Sequence, residues 1–584
     1  MVEALLVAAL LSVTQFEDEE ADVAKVAVPV PASAAPSTEE QNVGDASLVS
    51  LLDYQIAQVT RTDVASGRTR VSVESNAPAP RSGSFPVRFF IDNTTGPRQV
   101  ITLRLEGSVS GSRHAVVRAV ELNAGERRTV NVPVPAALRY GTVTAEGPGI
   151  TEHAGASMYF QNTYEPQRVV LSVSRPDQFE KFIGKPPRYS GANVLVHPVP
   201  PAEAPDELAA YLGYDGVVVP DATTLDGLDE AQRRALEAYV VTGGRLLVGG
   251  EVRSAAMFPM LATIRSGTND YGFGRLLVAT HAPPGGLEVF REGPTVMPRP
   301  PPGAGEGRSG SPGGNGLLLP QATAPLGRFL FIIALFTLAI GPGSVWVSRR
   351  RGPAALLVTI PATALITCTL IIAYSLIADG FVVHASSYGF TLLDSKQHRA
   401  ITQGVTAYYA NLSPPKATFG PSTMVVGPAE DAREQYMCDL TWKDGLTLGG
   451  DFLPSRTYRE WGFVSVEPTR ARVVVKQKGN AWVVQNALGA PIEKVLVNID
   501  GAWFTAQGIG DGGEGELKAG NHLQYVASVA NGRFNVEVPR VVALDELRAH
   551  QFLARLEGGG LVPNGGLQVQ RYAGEHWVRG EFEE

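Results

Sequence analysis

Apolar and polar positions alternate with a period of two in two long parts of the chain. From residue 65 to 163, segments such as FPVRFFIDN and RQVITLRLEG place an apolar side chain at every second position between turns rich in Asn and Gly. Short strands at this spacing predict an antiparallel β-sandwich. The same pattern returns from residue 385 to 584 and predicts a second β-rich domain. One helix, VALDELRAHQFLARLEG, is expected before Gly558.

Residues 166–282 show a different order, in which strand-like and helix-like segments alternate. The expected strands are RVVLSVS, NVLVHPV, YDGVVVPD, RLLVGGE and GRLLVATH, and the expected helices are PDELAAYLG and LDEAQRRALEAYVVTGG. The second helix begins with acidic residues and ends at glycines, which are typical start and stop signals. This order predicts an α/β domain with a parallel sheet.

Two apolar segments follow, at residues 326–347 and 354–378. Residues 329–347 read FLFIIALFTLAIGPGSVWV and residues 354–378 read AALLVTIPATALITCTLIIAYSLIA, and neither stretch contains a charged side chain. About twenty apolar residues in a helix cover the hydrocarbon core of a bilayer. The segments therefore predict two transmembrane helices that form a hairpin in the lipid bilayer; a pair of buried core helices is the alternative.

Arg349, Arg350 and Arg351 occupy the short connection between these segments. Cytoplasmic loops retain positive charge, so the three arginines are the expected determinants of topology. This orientation predicts a bacterial cytoplasmic (inner) membrane location, with both large parts of the chain on the outer, periplasmic side.

The remaining segments are expected to lack a folded core. Residues 1–15 contain ALLVAALLSV and resemble a signal peptide, although the chain begins Met-Val-Glu without a basic residue. An uncleaved anchor or a disordered tail is the alternative. Residues 16–64 are rich in Ala, Pro and acidic residues and predict a disordered tether, and residues 283–323 predict a Pro/Gly-rich linker.

The residues Tyr214-Asp215-Gly216, followed by a helix ending in Gly243-Gly244 and by the strand RLLV, resemble the class I glutamine amidotransferase-like fold. The 65–163 segment, by its pattern alone, resembles immunoglobulin-like (Ig-like) modules. In the active amidotransferase family, a nucleophilic cysteine stands at the turn that here has Gly249-Gly250-Glu251. Without a thiolate no acyl-enzyme can form, so the resemblance implies a degenerate domain without amidotransferase activity.

The order of these parts is similar to that of uncharacterised bacterial two-span membrane proteins. It combines an exported β module, a cysteine-less amidotransferase-like domain, Ile340-Gly341-Pro342 and Pro361 within the spans, and Asn411-Leu412-Ser413-Pro414 beyond them. Such proteins are often encoded near MoxR-type AAA ATPases. The resemblance implies protein partners in the cell envelope that are linked to a MoxR-type AAA ATPase system.

Asp221, Glu251 and His281 each follow an apolar strand of the predicted α/β domain. Open α/β sheets bind ligands at the carboxyl ends of their strands, so these three residues form the candidate ligand-binding site. The alternative is that they are ordinary loop residues, with Asp221 capping the helix that follows.

Composition narrows the choice of function. The formal net charge of -8 argues against a nucleic-acid partner, which would require a concentrated basic surface. The nine histidines are scattered without zinc spacing, and the 2 cysteines, Cys368 and Cys438, stand outside the α/β segment. We therefore expect no catalytic residues, no metal site and no cofactor.

Two hypotheses remain. The first is a membrane-anchored, non-enzymatic scaffold whose exported domains bind a protein or envelope partner. The second is an exported enzyme or small-ligand sensor that uses Asp221, Glu251 and His281.

Overall fold

Strands form most of the regular structure of this chain. A computed structural model describes residues 54–78, 84–109, 111–138, 140–159, 168–185, 194–252, 255–261, 263–280, 287, 290, 319, 333–379, 382–426, 438–520, 547–571 and 574–584. The predicted signal-peptide-like segment lies outside these residues, as does most of the predicted linker. The end of the predicted tether differs from the expectation, because residues 54–56 and 60–64 lie in strands.

The first half of the described chain contains sixteen strands, as follows: β1 (Tyr54–Ile56), β2 (Thr60–Gly67), β3 (Arg70–Ser75), β4 (Ser84–Asp92), β5 (Gln99–Val109), β6 (Ser112–Leu122), β7 (Arg127–Pro135), β8 (Tyr140–Glu146), β9 (Ile150–His153), β10 (Ala156–Tyr159), β11 (Arg168–Val173), β12 (Val194–Val199), β13 (Gly216–Val219), β14 (Arg245–Gly249), β15 (Gly267–Tyr271) and β16 (Gly274–Ala279).

Fifteen more strands follow the helical region in the described chain: β17 (Val383–Asp394), β18 (Arg399–Ala410), β19 (Lys416–Phe419), β20 (Thr423–Val426), β21 (Asp439–Trp442), β22 (Leu446–Gly449), β23 (Thr457–Pro468), β24 (Arg472–Lys478), β25 (Ala481–Ala487), β26 (Ile492–Ile499), β27 (Ala502–Ile509), β28 (Glu514–Ala519), β29 (Gln551–Leu556), β30 (Val569–Arg571) and β31 (Glu575–Glu581).

Helices are few and mostly short in the described residues. The α-helices are α1 (Pro176–Ile183), α2 (Thr223–Gly227), α3 (Glu230–Val241), α4 (Ser344–Arg351) and α5 (Leu356–Asp379), and residues 333–338 are also helical. A π-helical segment covers Ala339–Gly343. Short 3-10 segments occur at Pro201–Glu203, Leu208–Ala210, Ala255–Met257, Pro353–Ala355 and Gly450–Phe452.

The strands form four sheets. Sheet I has the order β1-β12-β11-β13-β14-β16-β15, and all its neighbours are parallel except β15 and β16. Sheet II has the order β10-β8-β5-β6-β21-β22-β19, and sheet III has the order β7-β4-β3-β2-β9. Sheet IV runs β20-β23-β18-β17-β31-β29-β26-β27-β28-β25-β24, with β30 beside β17.

Sheets II and III share one hydrophobic core. Ile101, Leu103 and Leu105 of β5 are buried, while the residues between them are more exposed, as expected for a strand with one face toward a core. Val71 and Phe89 of sheet III belong to the same core. Sheet II also takes up β21, which pairs in parallel with β6 and so joins two parts of the chain more than three hundred residues apart.

Helix α3 follows the signals present in its sequence. The Asp229 side chain accepts a hydrogen bond from the Gln232 backbone N–H at 2.8 Å, and the Gln232 side chain accepts one from the Asp229 N–H at 3.0 Å. This reciprocal capping box satisfies donors that the first helical turn leaves free. At the other end, Gly243 adopts φ +121, a conformation that favours glycine. The predicted helix with an acidic start and a glycine stop is confirmed here.

The predicted amidotransferase-like α/β fold is wrong as a description of this chain. The chain is mostly β-sheet, and the described helices between residues 168 and 280 have only 8, 5 and 12 residues. The predicted helix PDELAAYLG is a single 3-10 turn, Leu208–Ala210. Parallel pairs do occur in sheet I, but the sheet also includes Tyr54–Ile56, from outside the predicted domain, and an antiparallel edge strand.

The expected helix near the end of the chain is also wrong, because residues Gln551–Leu556 form strand β29. This strand lies between β26 and β31 and pairs with both. Phe552, Leu553 and Ala554 are all buried, so both faces of the strand are covered. Pairing and burial in the sheet override the helix preference of the segment FLARLE.

The predicted two-helix transmembrane hairpin is corrected by the structure. Within the ranges given above, no helix is both long enough and apolar enough to cross a membrane. The first segment changes to a π-helix at Ala339–Gly343, and α4 then covers only Ser344–Arg351. Helix α5 covers Leu356–Asp379 and contains Pro361.

The predicted location is corrected with it. A bacterial inner membrane with both large parts on the periplasmic side depended on two crossing helices and on a basic loop between them. Arg349, Arg350 and Arg351 instead lie in the last turn of α4, and Gly352, at φ +83, ends that helix. Among the residues that the structure describes, no helix could cross a membrane, so this location is not supported. The lipid bilayer as a partner stays a prediction.

Candidate functional site

Two of the three candidate ligand residues lie at the carboxyl ends of neighbouring strands in sheet I. Asp221 follows β13 and Glu251 follows β14, and both are exposed. The Asp221 carboxylate accepts a hydrogen bond from the Thr223 backbone N–H at 2.9 Å. This bond stabilises the turn that leads into α2, whose N-cap residue is Ala222. His281 lies outside the described residues.

The backbone brings these two loops close together. The Ala222 N–H donates to the Gly249 carbonyl at 2.7 Å, and the Gly250 N–H donates to the Ala279 carbonyl at 2.8 Å. A Cβ atom on Gly249 would lie 2.0 Å from the Pro220 carbonyl oxygen, so the close approach requires glycine. The Gly249-Gly250 turn therefore has a structural role, and the ligand site remains a prediction.

The Tyr214-Asp215-Gly216 motif also has structural contacts. Asp215 accepts hydrogen bonds from the Arg168 guanidinium at 2.7 Å and from the Val169 N–H at 2.8 Å. A Cβ atom on Gly216 would lie 2.1 Å from the Phe290 ring, which packs over this position. The motif thus fixes the start of β13 and the loop before it.

A buried polar cluster, here called the Glu74 network, joins sheet III to sheet I. Glu74 of β3 and Arg88 of β4 form an ion pair, and the Glu74 Oε1 atom lies 2.7 Å from Nε2 of His197 in β12. The other ring nitrogen of His197, Nδ1, lies 2.7 Å from the Tyr214 hydroxyl. The relative exposures of Glu74, Arg88, His197 and Tyr214 are 2%, 4%, 0% and 1%.

Burial alone would raise the pKa of Glu74, but His197 and Arg88 outweigh burial and lower this pKa to about 2. Burial raises the pKa of Tyr214 well above its ordinary value, so its hydroxyl stays protonated. A carboxylate held so firmly ionised and enclosed is a structural group. The ion pair with Arg88 and the hydrogen bond with His197 offset the cost of removing the Glu74 carboxylate from water.

A second cluster, the Arg399 network, joins α3 to sheet IV. The Arg399 guanidinium donates to both carboxylate oxygens of Glu237 at 2.7 Å and to Asp394 at 3.1 Å. The Tyr271 hydroxyl donates to the same Glu237 carboxylate. Burial lowers the pKa of Arg399, but its bonds to Glu237 outweigh burial and raise this pKa above the usual range.

The sequence analysis did not identify these two networks. A signal was present for His197, which interrupts the apolar strand VLVHPV, whereas Glu74 stands at a polar position of the alternating strand RVSVES. A buried polar side chain in such a strand requires a hydrogen-bonding partner, which predicts a network. The sequence could not show which residues would be the partners.

An apolar helical segment (residues 333–369) exposes many large side chains. The described residues from Ala339 to Ala355 include no buried side chain. The exposed large apolar residues of the segment are Ile333, Leu335, Leu338, Val345, Trp346, Leu357, Val358, Ile360, Leu365 and Ile366. The Arg350 guanidinium lies 4.2 Å from the centre of the Trp346 ring. The segment is a candidate interaction surface because contiguous exposed apolar area is unusual.

The part of the chain that the structure describes contains no group of three or more His, Cys, Asp or Glu residues positioned to hold a metal ion. Burial, followed by the charges of Asp439 and Asp451, raises the pKa of Cys438 to about 12. The thiolate is the reactive form of cysteine, so Cys438 is poorly suited to nucleophilic chemistry.

Comparison with protein-family models and with curated proteins finds no match to this chain.

Proposed function

We propose that the chain is a non-enzymatic scaffold that binds a protein partner through the apolar helical segment. The proposal depends on the solvent exposure of large apolar side chains in this segment. Leu357, Val358 and Leu365 are 81%, 71% and 70% exposed. Single apolar side chains on a surface are ordinary, whereas contiguous ones mark interaction sites. A partner that covers them would remove this apolar area from water.

The charge beside the segment indicates the chemistry of the partner. Arg349, Arg350 and Arg351 form the last turn of α4, next to the exposed Trp346. A partner with an apolar helix bordered by acidic residues would place its carboxylates near these guanidinium groups. Such complementarity speeds association and fixes the orientation of the bound helix.

The interior supports a scaffold role. The Glu74 and Arg399 networks place their ionisable side chains between structural elements, largely or fully buried. Their geometry favours a fixed arrangement of the sheets over turnover of a substrate. A protein partner from a MoxR-type AAA ATPase system stays a prediction that depends on the sequence resemblance.

A photo-cross-linking experiment tests the proposal. A photoreactive amino acid replaces Leu357 in the full chain, or Val100 as the control, since Val100 is an exposed apolar residue of β5. We expect position 357 to cross-link to one protein, at an apolar helix bordered by acidic residues, and position 100 to give no such product. Equal cross-linking from both positions, or cross-linking of position 357 to lipid, would contradict the proposal.

A further inference from the structure

A solvent-open cleft of about 550 Å³ lies at one end of sheet IV. It is bordered by the turn between β17 and β18, by the connection between β23 and β24, and by Glu583. Its ionisable lining residues are Asp394, His398, Arg399, Arg470, Arg472 and Glu583. Cations therefore outnumber carboxylates, even with His398 counted as neutral.

Some of these charges already have partners. Arg399 is held by Glu237 and Asp394. Arg472 forms an ion pair with Glu583 at 3.3 Å, and the two side chains are 53% and 49% exposed. Arg470 is exposed and makes no ion pair with a described residue. The cleft thus presents the Arg470 guanidinium, which has no ion-pair partner among the described residues, and the Arg472 guanidinium, which is paired with the half-exposed Glu583 carboxylate at the rim.

The backbone holds the two sides of the cleft together. His398 adopts φ +50, in the left-handed region, which places it at the corner of the β17–β18 turn. The Thr469 N–H donates to the His398 carbonyl at 2.8 Å, and the Thr469 hydroxyl accepts from the Ala471 N–H at 3.0 Å. The residues on either side of Arg470 are therefore fixed before any ligand arrives, which lowers the cost of binding.

We propose that this cleft binds a small organic anion through its phosphate or carboxylate oxygens. Arg470 and Arg472 supply planar guanidinium groups, which match the geometry of both kinds of anion. Leu393, Pro468 and Ala471 line the same cleft and give an apolar wall for the rest of the molecule. A volume of this size suits a small ligand.

Glu583 competes with the anion for Arg472. Its carboxylate occupies the guanidinium in the absence of ligand, so an incoming anion must displace it. Removal of this carboxylate should therefore strengthen binding, and removal of Arg470 should weaken it. The two substitutions have opposite expected effects, which a general change of stability would not produce.

Titration calorimetry on the full chain tests the site, with inorganic phosphate and succinate as probes and sodium chloride at matched ionic strength as the reference. We expect saturable binding, weakened about tenfold or more in Arg470→Gln and strengthened several-fold in Glu583→Gln, because charge-assisted bonds are the strong ones in such sites. Arg113→Gln is the matched control at an exposed arginine of β6 and should leave the affinity unchanged. Tighter binding of phosphate assigns a phosphate ligand, and tighter binding of succinate assigns a carboxylate.

The site is overturned if the probes give the same heats as sodium chloride, or if Arg470→Gln and Arg113→Gln behave alike. Thermal unfolding of each variant checks that the fold is intact. If Arg470→Gln does not fold, Glu583→Gln decides the question, and an affinity no higher than that of the parent overturns the proposal. None of these outcomes depends on the protein-binding role of the apolar helical segment.

Discussion

The Glu74 Oε1 atom lies 2.7 Å from the His197 Nε2 atom, although 123 positions separate the two residues in the chain. Glu74 belongs to sheet III and His197 to sheet I, so this contact joins two sheets through buried polar groups. Removing one partner would leave the other enclosed without its hydrogen bond. The cost of a buried polar group that has lost a hydrogen bond makes this contact a sensitive point of the fold.

Glu74→Gln should lower the free energy of unfolding at pH 7 by about 3 kcal/mol, since a shift of the pKa from 4.5 to about 2 corresponds to that amount. The folded-state pKa lies below the unfolded value, so the carboxylate stabilises the fold above about pH 4.5. This contribution is lost as the pH falls toward 2. Urea unfolding of parent and variant at pH 3, 5 and 7 measures the difference.

The matched control is Glu230→Gln, because the Glu230 side chain is 79% exposed and its surface pair with Arg234 contributes little. The difference in the free energy of unfolding between Glu74→Gln and the parent should become smaller from pH 5 to pH 3. A gap that stays constant with pH would show that the ionised form of Glu74 does not stabilise the fold.

Glu460→Gln should have the opposite effect near neutral pH. Burial raises the pKa of Glu460 from 4.5 to about 7, although a hydrogen bond from Tyr458 partly offsets this rise. Because the folded-state pKa of Glu460 lies above its unfolded value, ionisation of this group lowers the free energy of unfolding as the pH increases from 4.5 to 7. The total loss is about 3 kcal/mol. The neutral amide removes this loss, so the variant should unfold at higher urea than the parent at pH 8 and differ less at pH 5.

The Glu237–Arg399 pair should show strong coupling between α3 and sheet IV. We expect Arg399→Met to destabilise by about 3–5 kcal/mol, because it leaves the largely buried Glu237 carboxylate without its cation. Glu237→Met should cost less, because Arg399 keeps its ion pair with Asp394. The double variant should cost less than the two together, with a coupling energy of about 1–3 kcal/mol. The same cycle at the exposed pair Glu230 and Arg234 should give about 0.5 kcal/mol or less. Additive effects at Glu237 and Arg399 would argue against a linking role.

The triple change Asp221→Ala, Glu251→Ala, His281→Ala should leave folding and partner binding nearly intact. Asp221 and Glu251 are exposed, and exposed substitutions usually change stability by about 0.5 kcal/mol or less. Loss of the Asp221 turn bond to Thr223 adds a small cost. Thermal unfolding and co-purification measure both properties. Loss of a cellular phenotype at unchanged protein level and partner binding would favour the enzyme or sensor hypothesis.

Elements with a strong local pattern were predictable from the sequence. Strand β4 matches the alternation in FPVRFFIDN, and α3 begins at its Asp229 cap. Strand β29 was not predictable, because its helix-like composition is overridden by pairing with β26 and β31. Leu440 pairs with Val116 across hundreds of residues, and no local signal encodes that contact.

The candidate site was predictable only in part. The positions of Asp221 and Glu251 after parallel strands follow from the strand pattern, since the carboxyl ends of parallel strands share one edge of a sheet. The Arg399 network depends on three separate segments meeting in space. Its residues Glu237, Asp394 and Arg399 look like ordinary polar positions in the sequence, so only the structure brings them together.

The central claim is that the apolar helical segment binds a protein partner. Cross-linking identifies this partner, and the most direct test is then its affinity for variants of the full chain. We expect the double change Leu357→Asn, Leu365→Asn to weaken binding at least tenfold, because these side chains are 81% and 70% exposed and would be covered in the complex. Neutralising Arg349, Arg350 and Arg351 should slow association and reduce its salt dependence. Val100→Asn should change neither property. Unchanged affinity in the Leu357 and Leu365 variant would contradict the account.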